Sequence, residues 1–92
     1  MMDMKTVLAH NEDCPVREIG KGLVIECPEA KETHSIEDIG AFIWNKIDGK
    51  NDLGTILDEI LQEYEVATST ATQDLQTFIS QLMEAGLVLP VE

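Results

Sequence analysis

The sequence predicts an α+β domain in which a three-stranded antiparallel sheet precedes three helices, in the manner of a winged helix-turn-helix. Two strand-like runs flank Gly20, and three amphipathic helical patterns follow the strand-rich part. A length of 92 residues suits a single hydrophobic core. The hydrophobic content of 43% is ordinary for a globular chain, which favours a folded domain over disorder.

The strands are predicted in the first third of the chain. Val16–Ile19 and Gly22–Cys27 alternate in polarity and form a hairpin. A turn at residues 28–30 leads to a third strand at residues 31–35, which is short and mixed in polarity, as is typical of a sheet edge. Residues 1–13 lack periodicity and are predicted to be a mobile tail, or a segment that only a partner orders, so the domain is assigned to residues 14–90.

Three helices are predicted over about residues 36–47, 53–64 and 70–85. The first has apolar residues over more than half of its circumference, including the only tryptophan, Trp44, so we expect it to be central to the core. The second has one apolar stripe opposite a charged face. Residues 87–89 are expected to be extended or irregular.

Capping patterns predict where these helices begin. Ser35 with Asp38, and Thr70 with Gln73, have the spacing of a capping box, in which two side chains satisfy unpaired helix N–H groups. Asp52 is the expected N-cap of the second helix.

The charge balance excludes several classes of partner. Eighteen acidic residues oppose six basic ones, for a net charge of −12. This charge repels phosphate backbones and anionic lipids, so we expect neither nucleic acid nor membrane as a partner. The sequence also contains no apolar run of the length of a signal peptide or a membrane span, which predicts a cytoplasmic protein.

The two cysteines are predicted to face each other across the hairpin. Cys14 is expected opposite Cys27, as a pair of reduced, buried thiols, with a cross-strand disulfide as the alternative. Together with His10 and His34 they form a His-x3-Cys-x12-Cys-x6-His array of zinc-binding residue types. The array lacks a tight Cys-x2-Cys pair, so we expect no metal site and no cofactor.

Catalytic motifs are not recognisable in the sequence. It has no glycine-rich phosphate loop, no serine elbow and no metal-binding array of carboxylates. A Cys–His nucleophile would need a third orienting group and an oxyanion hole, and nothing in the sequence indicates either. We therefore expect that the protein is not an enzyme.

An ordered set of residues between about 16 and 88 gives a family resemblance. Its members are Gly40, Ile43, Trp44, Ile47, Asp48, Gly49, Ile56, Ile60, Tyr64, Phe78, Leu82, Gly86 and Leu87. In this set the chain resembles the PqqD family, small modules that bind precursor peptides in the biosynthesis of modified peptides. The resemblance implies that the leader region of a precursor adds as a strand to the sheet edge beside the third helix. It also implies presentation of the peptide to a modifying enzyme, often a radical S-adenosylmethionine enzyme.

The resemblance and the residue pattern together predict a peptide-binding site. The predicted edge strand consists of Lys31, Glu32, Thr33, His34, Ser35 and Ile36. The third helix is poor in charge, and an uncharged stripe on it is the predicted groove wall, formed by Thr72, Gln76, Ile79 and Met83. The same stripe also fits an ordinary core boundary. A monomer or a homodimer is expected.

Two other functions compete with peptide binding. An acidic carrier or scaffold protein fits the charge, and Ser35 could bear a phosphopantetheine at a helix N-terminus, but His34 stands where carriers have Asp. A winged-helix transcription regulator fits the order of elements, but the third helix contains neither Lys nor Arg to bind phosphates.

Overall fold

The computed structural model describes residues 3–28 and 31–91, and within these ranges the chain forms five strands and three helices. In chain order they are β1 (Leu8–His10), β2 (Val16–Ile19), β3 (Gly22–Cys27), β4 (Glu32–Ile36), α1 (Ile39–Lys46), α2 (Leu53–Glu63), α3 (Thr68–Glu84) and β5 (Val88–Pro90). The predicted α+β fold, with a three-stranded antiparallel sheet followed by three helices, is confirmed. The predicted turn at residues 28–30 lies partly outside the described residues.

The main sheet has the strand order β2-β3-β4 and buries one face. The hairpin register pairs Val16 with Ile25, as the alternation predicted. Successive side chains of β3 point to opposite faces, so Leu23, Ile25 and Cys27 are buried while Val24 is half-buried on the other face. The helices therefore pack on the face that carries Ile25, which is completely buried.

The N-terminal segment is part of the fold, which differs from the tail predicted over residues 1–13. β1 pairs antiparallel with β5, with Leu8 opposite Pro90 and His10 opposite Val88. Leu8 is only 1% exposed. A strand of three residues is too short for a visible period, and its partner lies at the other end of the chain, so no pattern in the sequence indicates it. The ordered domain extends well before residue 14; Met1 and Met2 lie outside the described residues.

His10 connects this small sheet to α1. Its imidazole stacks on the indole of Trp44 at 3.9 Å between ring centroids and 7° between planes. Its Nε2 donates a hydrogen bond to the Trp44 carbonyl at 2.8 Å. The prediction that Trp44 is central to the core is confirmed, since its side chain is 2% exposed.

The start of α1 differs from the prediction. Pairing with β3 continues through Ile36, which lies opposite Leu23, so Ser35 is in an extended strand and cannot cap a helix. The helix begins at Ile39, and Asp38 precedes it with φ 55° and ψ −125°. The predicted capping box of Ser35 and Asp38 is therefore wrong, because β4 keeps the chain extended through Ile36 and the helix begins only at Ile39.

Of the other two predicted helix starts, the one at Thr70 is wrong and the one at Asp52 is confirmed. α3 begins at Thr68 after Ala67, so the predicted capping box at Thr70 is wrong, and the helix is longer than its capping residues indicated. Asp52 does cap α2, since its carboxylate accepts a hydrogen bond from the Thr55 N–H at 2.8 Å. This bond also holds the pKa of Asp52 below its ordinary value.

Asp48 and Gly49 form the break between α1 and α2. Gly49 has φ 81°, a left-handed conformation that suits glycine. The Asp48 carboxylate accepts hydrogen bonds from the backbone N–H groups of Asn51 and Lys50, both at 2.9 Å. These bonds lower the pKa of Asp48 and fix the turn between the helices.

No helix among the described residues combines the length and apolar character that crossing a bilayer requires.

We predict that Trp44→Ala destabilises the protein by about 3–5 kcal/mol, since it removes a buried aromatic side chain and the stacking partner of His10. Urea unfolding followed by circular dichroism measures the loss. Ile19→Ala is the control, because Ile19 is 60% exposed and its truncation should change stability by less than about 0.5 kcal/mol. Equal midpoints for Trp44→Ala and the wild type would contradict the burial of the indole.

We predict that Asp38→Gly raises the free energy of unfolding by about 1 kcal/mol, because Asp38 adopts a positive φ that strains any residue with a Cβ. Asp38→Ala is the matched control and should give no gain, since alanine keeps the Cβ. The same urea experiment compares the two variants, and a loss of stability on Asp38→Gly would refute the strain.

Candidate functional site

β4 is an edge of the main sheet, because it pairs only with β3 in the strand order β2-β3-β4. The Glu26 N–H donates to the Pro15 carbonyl at 2.9 Å, so the backbone groups of Glu26 face the β2 side. Successive residues of an antiparallel strand direct their backbone groups to alternate sides. The N–H and C=O of Ile25 therefore face β4.

The register carries this alternation onto β4. Ile25 lies opposite His34, so the backbone groups of His34 are used by β3. Its two neighbours, Thr33 and Ser35, direct their N–H and C=O groups to the open side of the sheet. Both residues are exposed. β4 thus offers a template on which another strand can form hydrogen bonds.

A cavity of about 130 Å³ lies between β4 and the C-terminal half of α3. We call it the β4–α3 groove, and its lining residues are His34, Ser35, Ile36, Phe78, Gln81, Leu82, Ala85 and Leu87. The α3 contributions and Ala85 follow the spacing i, i+3, i+4, i+7, which is one face of a helix. The groove lies along the open edge of β4.

The buried side chains at the groove are apolar, whereas its exposed surface is polar and apolar in similar proportion. Ile36, Leu82 and Leu87 are all at most 5% exposed. The exposed Gln81 and the half-buried His34 provide side-chain polar groups. The Nε2 of His34 lies 3.2 Å from a carboxylate oxygen of Glu32. This arrangement can hold an apolar side chain while hydrogen bonds form along the edge.

Gly40 allows α1 to approach this site closely. A Cβ on Gly40 would lie 2.9 Å from a methyl group of Ile36 and 3.4 Å from the Phe78 ring. Any larger residue would therefore push β4 or α3 outward. The glycine, which belongs to the family resemblance, thus allows α1 to approach Ile36 and Phe78, two lining residues of the groove.

The strand half of the predicted site is at the groove. His34, Ser35 and Ile36 line it, and Glu32 and Thr33 precede them on β4. Lys31, which was predicted to be part of the strand, lies just before it in a left-handed conformation with φ 56°.

The predicted helix half lies elsewhere on α3. Ile79 is completely buried in the core, and the Nε2 of Gln76 is 3.9 Å from the Sδ of Met4. Thr72 donates its hydroxyl to the Thr68 carbonyl at 2.8 Å. Met83 is 39% exposed, but it does not line the groove. The stripe was predicted to be either a groove wall or an ordinary core boundary, and Ile79 fits the core boundary.

The face of α3 at the groove could have been found only in part from the sequence. Phe78, Leu82 and Leu87 belong to the family resemblance, but Gln81 and Ala85 carry no pattern of their own. Helical periodicity gives which residues share a face, whereas the rotation of α3 relative to β4 depends on packing.

A family model described as "Coenzyme PQQ synthesis protein D (PqqD)" matches residues 7–88. The chain belongs to the PqqD family. Among the curated proteins, none matches this sequence.

Two solved structures share the fold of this PqqD-family chain. One is TbiB1 in complex with the TbiA(β) leader peptide, with a TM-score of 0.80 and 21% identity, covering 87% of this chain and 93% of that one. The other is a lasso peptide synthetase B1 complexed with the leader peptide, with a TM-score of 0.81 and 22% identity, covering 90% of this chain and 98% of that one.

The residue types of the zinc array do not converge in this PqqD-family chain. His10 is bound to the Trp44 carbonyl, and His34 lies at the groove beside Glu32. Cys14 and Cys27 face each other, as predicted, and both thiols are free and buried. Over residues 3–28 and 31–91, no three His, Cys, Asp or Glu side chains are arranged to hold a metal ion.

We predict that Thr33→Pro leaves the fold nearly unchanged while His34→Pro destabilises it. The N–H of Thr33 faces the open edge, whereas proline at His34 leaves the Ile25 carbonyl without its donor, at a cost of about 1–3 kcal/mol. Thermal unfolding of both variants tests this pair. If Thr33→Pro were instead the less stable variant, the backbone groups of Thr33 would face β3 and those of His34 would face the open edge.

Proposed function

We propose that this protein binds the leader region of a ribosomal precursor peptide by strand addition to β4 and presents the peptide to a modifying enzyme. The observation that carries the proposal is the open edge of β4 beside a groove with buried apolar side chains in its walls. Two proteins of the same fold, TbiB1 and a lasso peptide synthetase B1, were each solved with a leader peptide, which supports the same ligand class here.

The peptide binds as a fourth strand. Its main chain exchanges hydrogen bonds with the outward N–H and C=O groups of Thr33 and Ser35. Alternate side chains of the peptide point toward α3, where the groove formed with Phe78 and Leu82 receives an apolar one. Main-chain bonds supply affinity without sequence choice, and the groove supplies the choice.

The net charge of −12 favours leaders with basic residues at the rim of the site. Such contacts are exposed and are screened by salt. Affinity, which we expect in the sub-micromolar to micromolar range, therefore decreases as the salt concentration rises.

The role is binding rather than catalysis. His34 and Ser35 both line the groove, but they are neighbours in a strand and their side chains point to opposite faces. A Ser–His hydrogen bond, as in nucleophilic catalysis, is therefore not available to this pair. The chemistry belongs to a separate maturation enzyme, for which a radical S-adenosylmethionine enzyme is the class that the family suggests.

The two competing functions have less support. Ser35 lies in β4 and not at a helix N-terminus, so it is a poor attachment site for a carrier's prosthetic group. The charged residues of α3 are Asp74 and Glu84, both acidic, which opposes insertion of this helix into DNA.

We predict that Phe78→Ala weakens leader binding at least about tenfold, since it removes an apolar wall of the groove. The probe is a synthetic peptide with the leader sequence of a short precursor encoded beside this chain, measured by calorimetry. Phe42→Ala is the matched control. Phe42 is also half-buried, but it packs edge-on against Tyr64 and does not line the groove, so its loss should affect stability and leave affinity unchanged.

Chemical-shift mapping with the same peptide locates the site. We expect perturbations along β4 and at Gln81 and Ala85, and weaker binding by Thr33→Pro. Perturbations restricted to α2 or the β2–β3 hairpin would refute the site, and failure of every such peptide to bind would refute the function. Faster modification of the precursor by the maturation enzyme when the protein is added tests the presentation step.

A further inference from the structure

Two thiols that the peptide site does not use lie in contact. Cys14 follows β1 in a turn, in which its N–H donates to the Asn11 carbonyl at 3.1 Å, and Cys27 is the last residue of β3. Their Sγ atoms are 2.8 Å apart. The two residues are 9% and 5% exposed, and both thiols are free. Residues 13 positions apart in the chain are thus held with their reactive atoms adjacent.

A cavity of about 170 Å³ gives access to this pair. Its walls are Asn11, Asp13, Cys14, Cys27, Pro28, Ala85 and Gly86. Asp13 and Pro28 are exposed, so the cavity is at the surface, and both cysteines are among its lining residues. The cavity offers a small reagent a route to the two thiols that does not require unfolding of the core.

We propose that Cys14 and Cys27 are a redox modification site, which a low-molecular-weight disulfide such as glutathione disulfide converts to an intramolecular disulfide. A thiolate of the pair attacks the glutathione disulfide, releases one glutathione and forms a mixed disulfide. The second cysteine then attacks the sulfur of the first and releases the second glutathione. One sulfur–sulfur bond breaks, one forms, and the two protons of the cysteines end on two glutathione thiols.

The geometry favours the second step. The two sulfur atoms already lie next to each other, so closure needs little movement, and a mixed disulfide should not persist. Burial and the neighbouring Cys14 thiol raise the pKa of Cys27 to about 11. Oxidation should accordingly be faster in alkaline than in neutral buffer, because the thiolate is the nucleophile.

The disulfide would add a covalent tie to the N-terminal segment. Asn11, in the turn that ends at Cys14, donates its side-chain N–H to the Gly86 carbonyl at 2.8 Å and its backbone N–H to the Leu87 carbonyl at 2.9 Å. The bond would link this turn to the end of β3 and close a loop around the β2–β3 hairpin. This inference does not depend on the peptide-binding function.

The test uses the intact protein in glutathione redox buffers of increasing oxidising power. We expect the mass to fall by two hydrogen atoms and both thiols to become unreactive to iodoacetamide under denaturing conditions. The protein should stay free of intermolecular disulfides. Its Tm should rise by about 10 °C or more, as for a loop of this length, and dithiothreitol should reverse every change.

Cys14→Ala and Cys27→Ala are the matched controls, and neither should gain stability in oxidising buffer. Three outcomes with the wild-type protein would overturn the proposal: a stable glutathione adduct, an intermolecular disulfide, or two alkylatable thiols after equilibration in excess glutathione disulfide. A disulfide that lowers Tm would overturn it too, because the native geometry would then oppose the bond. The wild-type measurements decide the question even if a control variant does not fold.

Discussion

Pairing of β3 with both of its neighbours in one register is the constraint on which the rest of the structure depends. β3 buries Leu23, Ile25 and Cys27 on one face, and its register with β4 is fixed at the same time. A slip by one residue would bring Ser35 or Glu37 to the position of Ile36 and turn the apolar side chain of Ile36 to the exposed face. The same register determines which backbone groups of β4 face outward. Burial of the core thus also determines that the N–H and C=O groups of Thr33 and Ser35 lie at the open edge.

The groove therefore shares residues with the core. Ile36 and Leu82 are nearly fully buried, yet each also forms part of the groove surface. Packing restricts the motion of these side chains, a property that reduces the ordering cost of binding in any groove built this way. Gly40 contributes by its missing Cβ, since it brings α1 against Ile36 and Phe78. The open edge and the groove wall thus keep a fixed separation.

The N-terminal segment packs against the C-terminal strand and the helices. β1 lies between the C-terminal strand, through His10 and Val88, and the α1–α2 break, through the hydrogen bond from the Gly49 N–H to the Leu8 carbonyl at 2.9 Å. His10 adds its stacking on Trp44. A few residues thereby connect both ends of the chain to the helical layer, and the turn that follows β1 brings Cys14 to Cys27.

Features that local chemistry controls could be predicted from the sequence. Alternation gave the bounds of β2 and β3, the apolar arc of α1 gave the burial of Trp44, and Asp52 gave the start of α2. Each of these follows from neighbours within a few residues, through side-chain periodicity or a cap. The edge role of the third strand also followed, because a short strand of mixed polarity suits a sheet edge.

Features that depend on distant partners became visible only in the folded chain. Ser35 is of a residue type and spacing typical of a helix cap. Pairing of Ile36 with Leu23 extends β4 instead, and the helix begins at Ile39. β1 exists because β5 pairs with it, and the face of α3 at the groove depends on how that helix packs against the sheet. A helical period fixes which residues share a face, but the direction of that face is set by what the helix buries. The sequence therefore indicated β4 as one side of the candidate groove, whereas the face of α3 on its other side could be read only in part.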